Sequence, residues 1–225
     1  MWHLLTFLSL PNWLLAVIVL LAAIVVTYIF RLFSPRMRHG REGERKVRQL
    51  LDGMANKANI PLHDLLLPTA GGHTTQIDHL LISQRGIFVI ETKSHYGTIT
   101  GDPQNRNWRQ QATTYTQDFY NPLMQNASHI RHLRNLLRRL PAEWFISVVV
   151  FTDAESLKIS RGGDGVVVLL SDLSDKLKQY PRIIERKQLS EIAGTVRKAN
   201  FRNPLKRIKH VFHAQRTAKQ SNNNK

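Results

Sequence analysis

The chain has 225 residues, a formal net charge of +16 from 32 Lys and Arg against 16 Asp and Glu, and a pI near 10.7. It has no cysteine, which excludes disulfides, thiolate zinc sites and cysteine nucleophiles. No Lys, Arg, Asp or Glu occurs before Arg31, so the whole charge excess falls on the following part, which therefore favours polyanionic partners: nucleic acid or an anionic membrane surface.

In chain order, the run from Asn12 to Phe30 is almost entirely apolar and matches the ~20 residues that cross a bilayer core. The pattern predicts a single transmembrane helix within residues 1–33. Arg31, Arg36, Arg38, Arg41, Arg45 and Lys46 follow it at once, and by the positive-inside rule they put the N-terminus outside and the rest in the cytoplasm, at an inner or plasma membrane. Residues 34–40 read as a basic juxtamembrane linker. A helix follows from about Gly40 or Arg41 to Met54, with Val47, Leu50, Leu51 and Met54 as its apolar stripe. Glu44 falls on that stripe, either as an acid favoured by the helix N-terminus or as a functional group.

Leu62 to Leu67 reads as a first strand. Two further apolar runs then flank a Gly-containing turn, from Gln76-Ile77-Asp78-His79 to Ile90-Glu91-Thr92-Lys93, and predict a β-hairpin. A loop of two residues (Gln84, Arg85) or four (Ser83 to Gly86) pairs Ile82 with Ile87 and hence Asp78 with Glu91. Both carboxylates then share one face with Lys93, because strands repeat every two residues. Opposed carboxylates destabilise a sheet unless a cation lies between them. An ordinary ion pair to Lys93 is the plainer answer, and a divalent metal is the other. Oxygen ligands without cysteine or a close His pair suit Mg²⁺ or Mn²⁺.

Gly97 to Thr100 extends the sheet, and residues 101–121 read as a polar loop. Asn121-Pro122 starts a helix that runs toward Pro141 with Leu123, Ile130, Leu133, Leu136 and Leu137 on one side. Its polar side carries Arg131, Arg134, Arg138 and Arg139, a candidate nucleic-acid patch or a plain solvated face. His129 and His132 read as a solvated or phosphate-contacting pair, and His79 as structural, on the face opposite to Asp78. Phe145 to Phe151 and Val166 to Leu170 read as buried strands. Ser171-Asp172 caps a short helix, Gln188 to Asn200 is a last one, and 201–225 reads as a basic disordered tail. The elements predict an α/β fold, a mixed sheet flanked by helices over 41–200.

Glu44 on a leading helix, then Asp78, then Glu91-Thr92-Lys93 closing a hairpin, resembles the PD-(D/E)XK nuclease superfamily, with Ile77 where the naming proline would stand. Gly43-Glu44, Gln76 to His79, Gly86 to Lys93, Gly97 to Gly101, Trp108, and Asn121-Pro122-Leu123 with Gln125 and His129 resemble more closely the NERD, or nuclease-related, domain over about 40–155. The resemblance implies a restriction-endonuclease-like core in which Asp78 and Glu91, with Glu44 as an additional acid, hold Mg²⁺ or Mn²⁺. Lys93 would orient water or stabilise the phosphate, and Gln125 resembles a helical glutamine near such sites. Trp108 is a candidate for base stacking or for the core, with Gln110 a weaker candidate. The implied activity is phosphodiester hydrolysis in DNA or RNA. The alternative is a catalytically inactive nucleic-acid-binding module or membrane-surface adaptor, with the oligomeric state open.

Overall fold

The computed structural model describes residues 11–32, 35–69 and 72–201, with side chains at 12 and 28–38 left out. The chain divides into two compact units, Met1–Arg41 and Glu42–Lys225. The first holds α1 (Asn12–Leu32), a 21-residue helix on which Trp13, Leu15, Val17 to Leu21 and Ile24 to Val26 are exposed. Among the described residues no helix is long and apolar enough to cross a membrane. The transmembrane span expected at the N-terminus is therefore not supported. Residues 1–10 and the expected tail beyond 201 lie outside the description.

α2 (Pro35–Gly53) begins earlier than its apolar stripe suggests. The expected linker is helical from Pro35 onward, because Arg is a good helix former and proline suits a first turn. The second unit continues with β1 (Asn59–Pro68), β2 (Thr74–Ser83), β3 (Gly86–Gly101), β4 (Asn107–Gln111), β5 (Thr116–Tyr120), α3 (Pro122–Leu136), β6 (Phe145–Ile159), β7 (Val166–Leu169), α4 (Leu170–Lys178) and α5 (Arg186–Ala199). The strands form one mixed sheet of seven: β1 to β5 are antiparallel neighbours, while β6 runs parallel to β3 and to β7.

Helices cover both faces. Val47 and Leu51 of α2 and Leu173 and Leu177 of α4 pack with Leu81, Phe88, Ile90, Val148 and Val150 on one side. Leu133 of α3 and Leu189, Ile192 and Val196 of α5 pack with Leu80, Ile82, Ile87 and Val89 on the other. The alternation along β3 thus separates two cores, as period-two geometry requires. The central strands read as continuous apolar runs because neither face meets water.

Three expectations need correction. Residues 101–121 are largely the β4–β5 hairpin rather than a loop: Trp108 and Gln110 point inward, and a glutamine at an inward position hides the alternation. α3 ends at Leu136, so Arg138 and Arg139 lie in the turn beyond it. Ser171 and Asp172 fall within the first turn of α4, whose cap position is Leu169.

Candidate active site

The sheet forks at the residues the sequence singles out. β6 occupies one edge of β3 from Ile87 to Gly101, so β2 and β4 share the other. β2 pairs with it from Gly86 to Ile90, through Ser83↔Gly86 and Ile82↔Ile87, and β4 only at Thr98 to Thr100. The connecting loop is the two-residue Gln84-Arg85. Between the two ladders, Glu91 to Gly97 have no strand pairing on that edge. A bulge in the β3–β6 ladder between Lys93 and Tyr96 bends the strand at the same place.

Asp78 stands at the mouth of this fork. The β2–β3 ladder stops one pair short of it, at His79↔Ile90, and the β1–β2 ladder skips it opposite Asp64, a non-glycine residue with φ of 51°. The even-length turn holds the predicted register, but the two strands part before Asp78 and Glu91 pair as a rung. The Asp78 Oδ2 instead accepts the Thr92 backbone N–H at 3.0 Å, satisfying a donor that the fork leaves without a strand partner.

Glu91, 3% exposed, is the hub. Its Oε1 accepts from Lys93 Nζ at 2.8 Å and from Gln125 Nε2 at 2.7 Å, and Lys93 Nζ also donates to Gln125 Oε1 at 3.0 Å. These three side chains close a ring of hydrogen bonds between β3 and the first turn of α3. On the other oxygen, His129 Nε2 lies 3.4 Å from Glu91 Oε2, while the His129 Nδ1 bonds the Thr75 hydroxyl at 2.7 Å. α3 delivers Gln125 and His129 together because residues four apart share a helix face. Its start is fixed by the buried Asn121, whose Oδ1 accepts from the N–H groups of Leu123 and Met124 and whose Nδ2 donates to the carbonyls of Pro103 and Asn105.

The two carboxyls are driven apart. Burial, then the charge of Glu91, push Asp78 well above the usual carboxylate range; Glu44 adds to the rise, and the Thr92 N–H and Lys93 offset part of it. Burial opposes ionisation of Glu91 too, but Lys93 and His129 outweigh it and hold that carboxyl down. Burial likewise opposes the charge on Lys93, and Glu91 and Asp78 overcome it, so its pKa is raised. Asp78 is thus the carboxyl that keeps its proton longer.

Glu44 reaches this neighbourhood from α2, where Gly43 lets the helix approach Ser94 and Thr152: a Cβ there would stand 2.6 Å from the first hydroxyl and 2.8 Å from the second. Trp108 does not join the site. It is 1% exposed, its indole donates to the Asp102 carbonyl, and its ring packs with Phe119 and Phe151, so it is a core residue with no face for a base. Gln110 is buried beside it. Arg131, Arg134, Arg138 and Arg139 are all exposed. His79 is buried against His63, Nδ1 to Nδ1 at 2.8 Å, and burial lowers its pKa to about 3. His129 is the site residue that the sequence reading misplaces; its spacing from Gln125 was the available signal.

A match to the nuclease-related domain, NERD, covers residues 39–152. The chain belongs to this family. The NERD segment runs from within α2 into β6 and contains the fork, Glu44, Asp78, Glu91, Lys93, Gln125 and His129. A relative in Bacillus anthracis, itself an uncharacterized protein, is 30% identical over 202 residues, which is 88% of this chain and 91% of the relative. No solved structure matches. The NERD assignment carries with it a nuclease-related function and an interaction with nucleic acid.

For a cation, the donors at the fork are two carboxylates, with a third within electrostatic reach. Among the described residues no group of three or more His, Asp or Glu side chains is gathered closely enough to hold a metal ion. Mg²⁺ does not need one, since it is commonly held by one or two carboxylates with waters and substrate phosphates completing its shell. His129 Nε2, buried beside Glu91, makes no contact closer than the 3.4 Å to Glu91 Oε2. Asp78 is raised first by burial and then by the charge of Glu91. Both observations fit an additional positive or polar group at this position.

Proposed function

We propose that this NERD domain is a metal-dependent nuclease that hydrolyses phosphodiester bonds in DNA or RNA. The observation that carries the reading is the ring of Glu91, Lys93 and Gln125 beside Asp78, built where the sheet opens. Asp78 and Glu91, with Glu44 as an additional acid, would hold Mg²⁺ or Mn²⁺. Such an ion, when bound, polarises a phosphoryl oxygen and makes a coordinated water more acidic. Lys93 supplies a fixed positive charge for the phosphate as water adds to phosphorus and the bond to the leaving oxygen breaks. Gln125 holds the ammonium and the Glu91 carboxylate in one geometry, so neither reorganises during the reaction. Arg131, Arg134, Arg138 and Arg139 would take the phosphates of the strand outside the fork.

The purified full chain, given Mg²⁺ or Mn²⁺ and labelled DNA and RNA of several topologies, should cleave at least one of them far faster than Lys93→Ala does. Equal rates on every substrate would sink the reading. One observation favours a second reading, a nucleic-acid-binding module without catalysis: the absence of a three-ligand cluster among the described residues. That module would bind equally well after Asp78→Ala or Glu91→Ala and with or without Mg²⁺.

We also propose that the N-terminal unit holds the protein at a membrane, with the NERD domain on the cytoplasmic face. Its support is the uncharged run 12–30, the exposed apolar side chains of α1 and the basic residues that begin at Arg31.

A further inference from the structure

Within the Glu42–Lys225 unit, the large apolar or aromatic side chains left exposed among the described residues are Tyr96, Tyr115, Tyr120 and Ile183. The three tyrosines belong to β3 or to the β4–β5 hairpin. Tyr96 and Tyr115, 45% and 39% exposed, meet edge to face with ring centroids 5.6 Å apart and an interplanar angle of 89°. Gln110 fixes the pair from beneath: its Nε2 donates to the Tyr96 carbonyl at 2.9 Å and to the Tyr115 hydroxyl at 3.3 Å, and its Oε1 accepts from Gln117 at 2.6 Å. A buried glutamine thus holds two exposed rings in one arrangement, which lowers the ordering cost of anything that stacks on them.

Tyr96 lies directly after the bulge that follows Lys93, three residues along the same strand and so about 10 Å from it. A tyrosine face accepts any base, because every base has a π surface. Bases within a duplex are already stacked and do not offer theirs. The +16 charge of the chain supplies attraction for the backbone but no preference for unpaired over paired strands. The tyrosine pair supplies that preference.

We propose that Tyr96 and Tyr115 form a stacking platform for an unpaired base, so that the nucleic acid is single-stranded where it meets the fork. This rests on the nuclease-related reading for the identity of the partner and not on cleavage. The test is fluorescence anisotropy with the full chain in detergent and EDTA, where hydrolysis plays no part, using a labelled single strand and an abasic strand of equal length. Wild type should bind the base-bearing strand more tightly. Tyr96→Ala and Tyr115→Ala should each weaken it by about fivefold or more while leaving the abasic strand unchanged. Tyr96→Phe, which keeps the ring, should bind as wild type does. Thermal midpoints equal to wild type in each variant would show that the fold is intact. Equal loss on both strands, no loss on either, or a wild type without preference for bases overturns the proposal. Tyrosine-dependent binding without any cleavage would leave it standing and remove only the nuclease reading; cleavage with unchanged binding in both alanine variants would do the reverse.

Discussion

Asp78 and Glu91 are neighbours with opposite effects on stability. The folded-state pKa of Asp78 lies above its unfolded value, so the folded protein binds more protons than the unfolded chain between the two values. The stability associated with this group is complete below the unfolded pKa and is lost as pH rises through the folded one. Asp78→Asn keeps an acceptor for the Thr92 N–H and removes the charge. In EDTA its thermal midpoint should exceed that of wild type, by a margin that grows from pH 4 to pH 8, while metal-dependent cleavage disappears. A variant less stable than wild type throughout that range would show that burial has not strained this carboxyl. Glu91, with its pKa held down, behaves in the reverse sense: its stabilisation is present above the unfolded carboxylate pKa and lost as pH falls toward the folded one. Glu91→Ala strands the buried Lys93 cation and leaves Gln125 without an acceptor, and should cost about 3 to 5 kcal/mol in chemical denaturation at neutral pH.

At the scale of the elements, α2 reaches the sheet through Gly43, and its approach is what brings Glu44 near Asp78. Gly43→Val puts a branched side chain against Ser94 and Thr152. It should destabilise by about 1 to 3 kcal/mol and reduce cleavage without altering any proposed ligand. Gly40→Ala, with nothing within 4 Å of its added carbon, should leave both unchanged or improve stability slightly. Two equal effects would mean that helix propensity, not close approach, governs α2. The elements that were legible in the sequence are those with local determinants. The β2–β3 register follows from the two-residue turn, and the start of α3 follows from Asn121-Pro122. The fork was not legible, because it depends on β2 and β4 sharing one edge of β3 across more than twenty residues of chain. The β4–β5 hairpin was hidden by inward glutamines. His129 carried part of the NERD resemblance, but its place against Glu91 came into view only when packing turned the Gln125 face of α3 onto that carboxyl, and Trp108 left the site when Asp102 and Phe151 enclosed it.

On the scale of the whole molecule, the three core clusters of the described residues are built from residues within 42–201. A chain of residues 35–225 keeps all of α2 and every residue of these cores, and should unfold cooperatively with the same stability as the full chain, within about 1 kcal/mol. It should also bind nucleic acid with the same steep salt dependence, since all the Lys, Arg, Asp and Glu residues except Arg31 lie beyond position 34. The two chains should differ in their dependence on lipid. The full chain, with Leu15, Val17 to Leu21 and Ile24 to Val26 uncovered, should remain with the membrane pellet in high salt and enter solution only with detergent. The shorter chain should appear in the supernatant once salt screens its basic surface. A full chain released by salt alone would show that charge holds it at the membrane and would remove the anchor. A shorter chain that aggregates or melts without cooperativity would show that α1 covers part of the NERD domain itself.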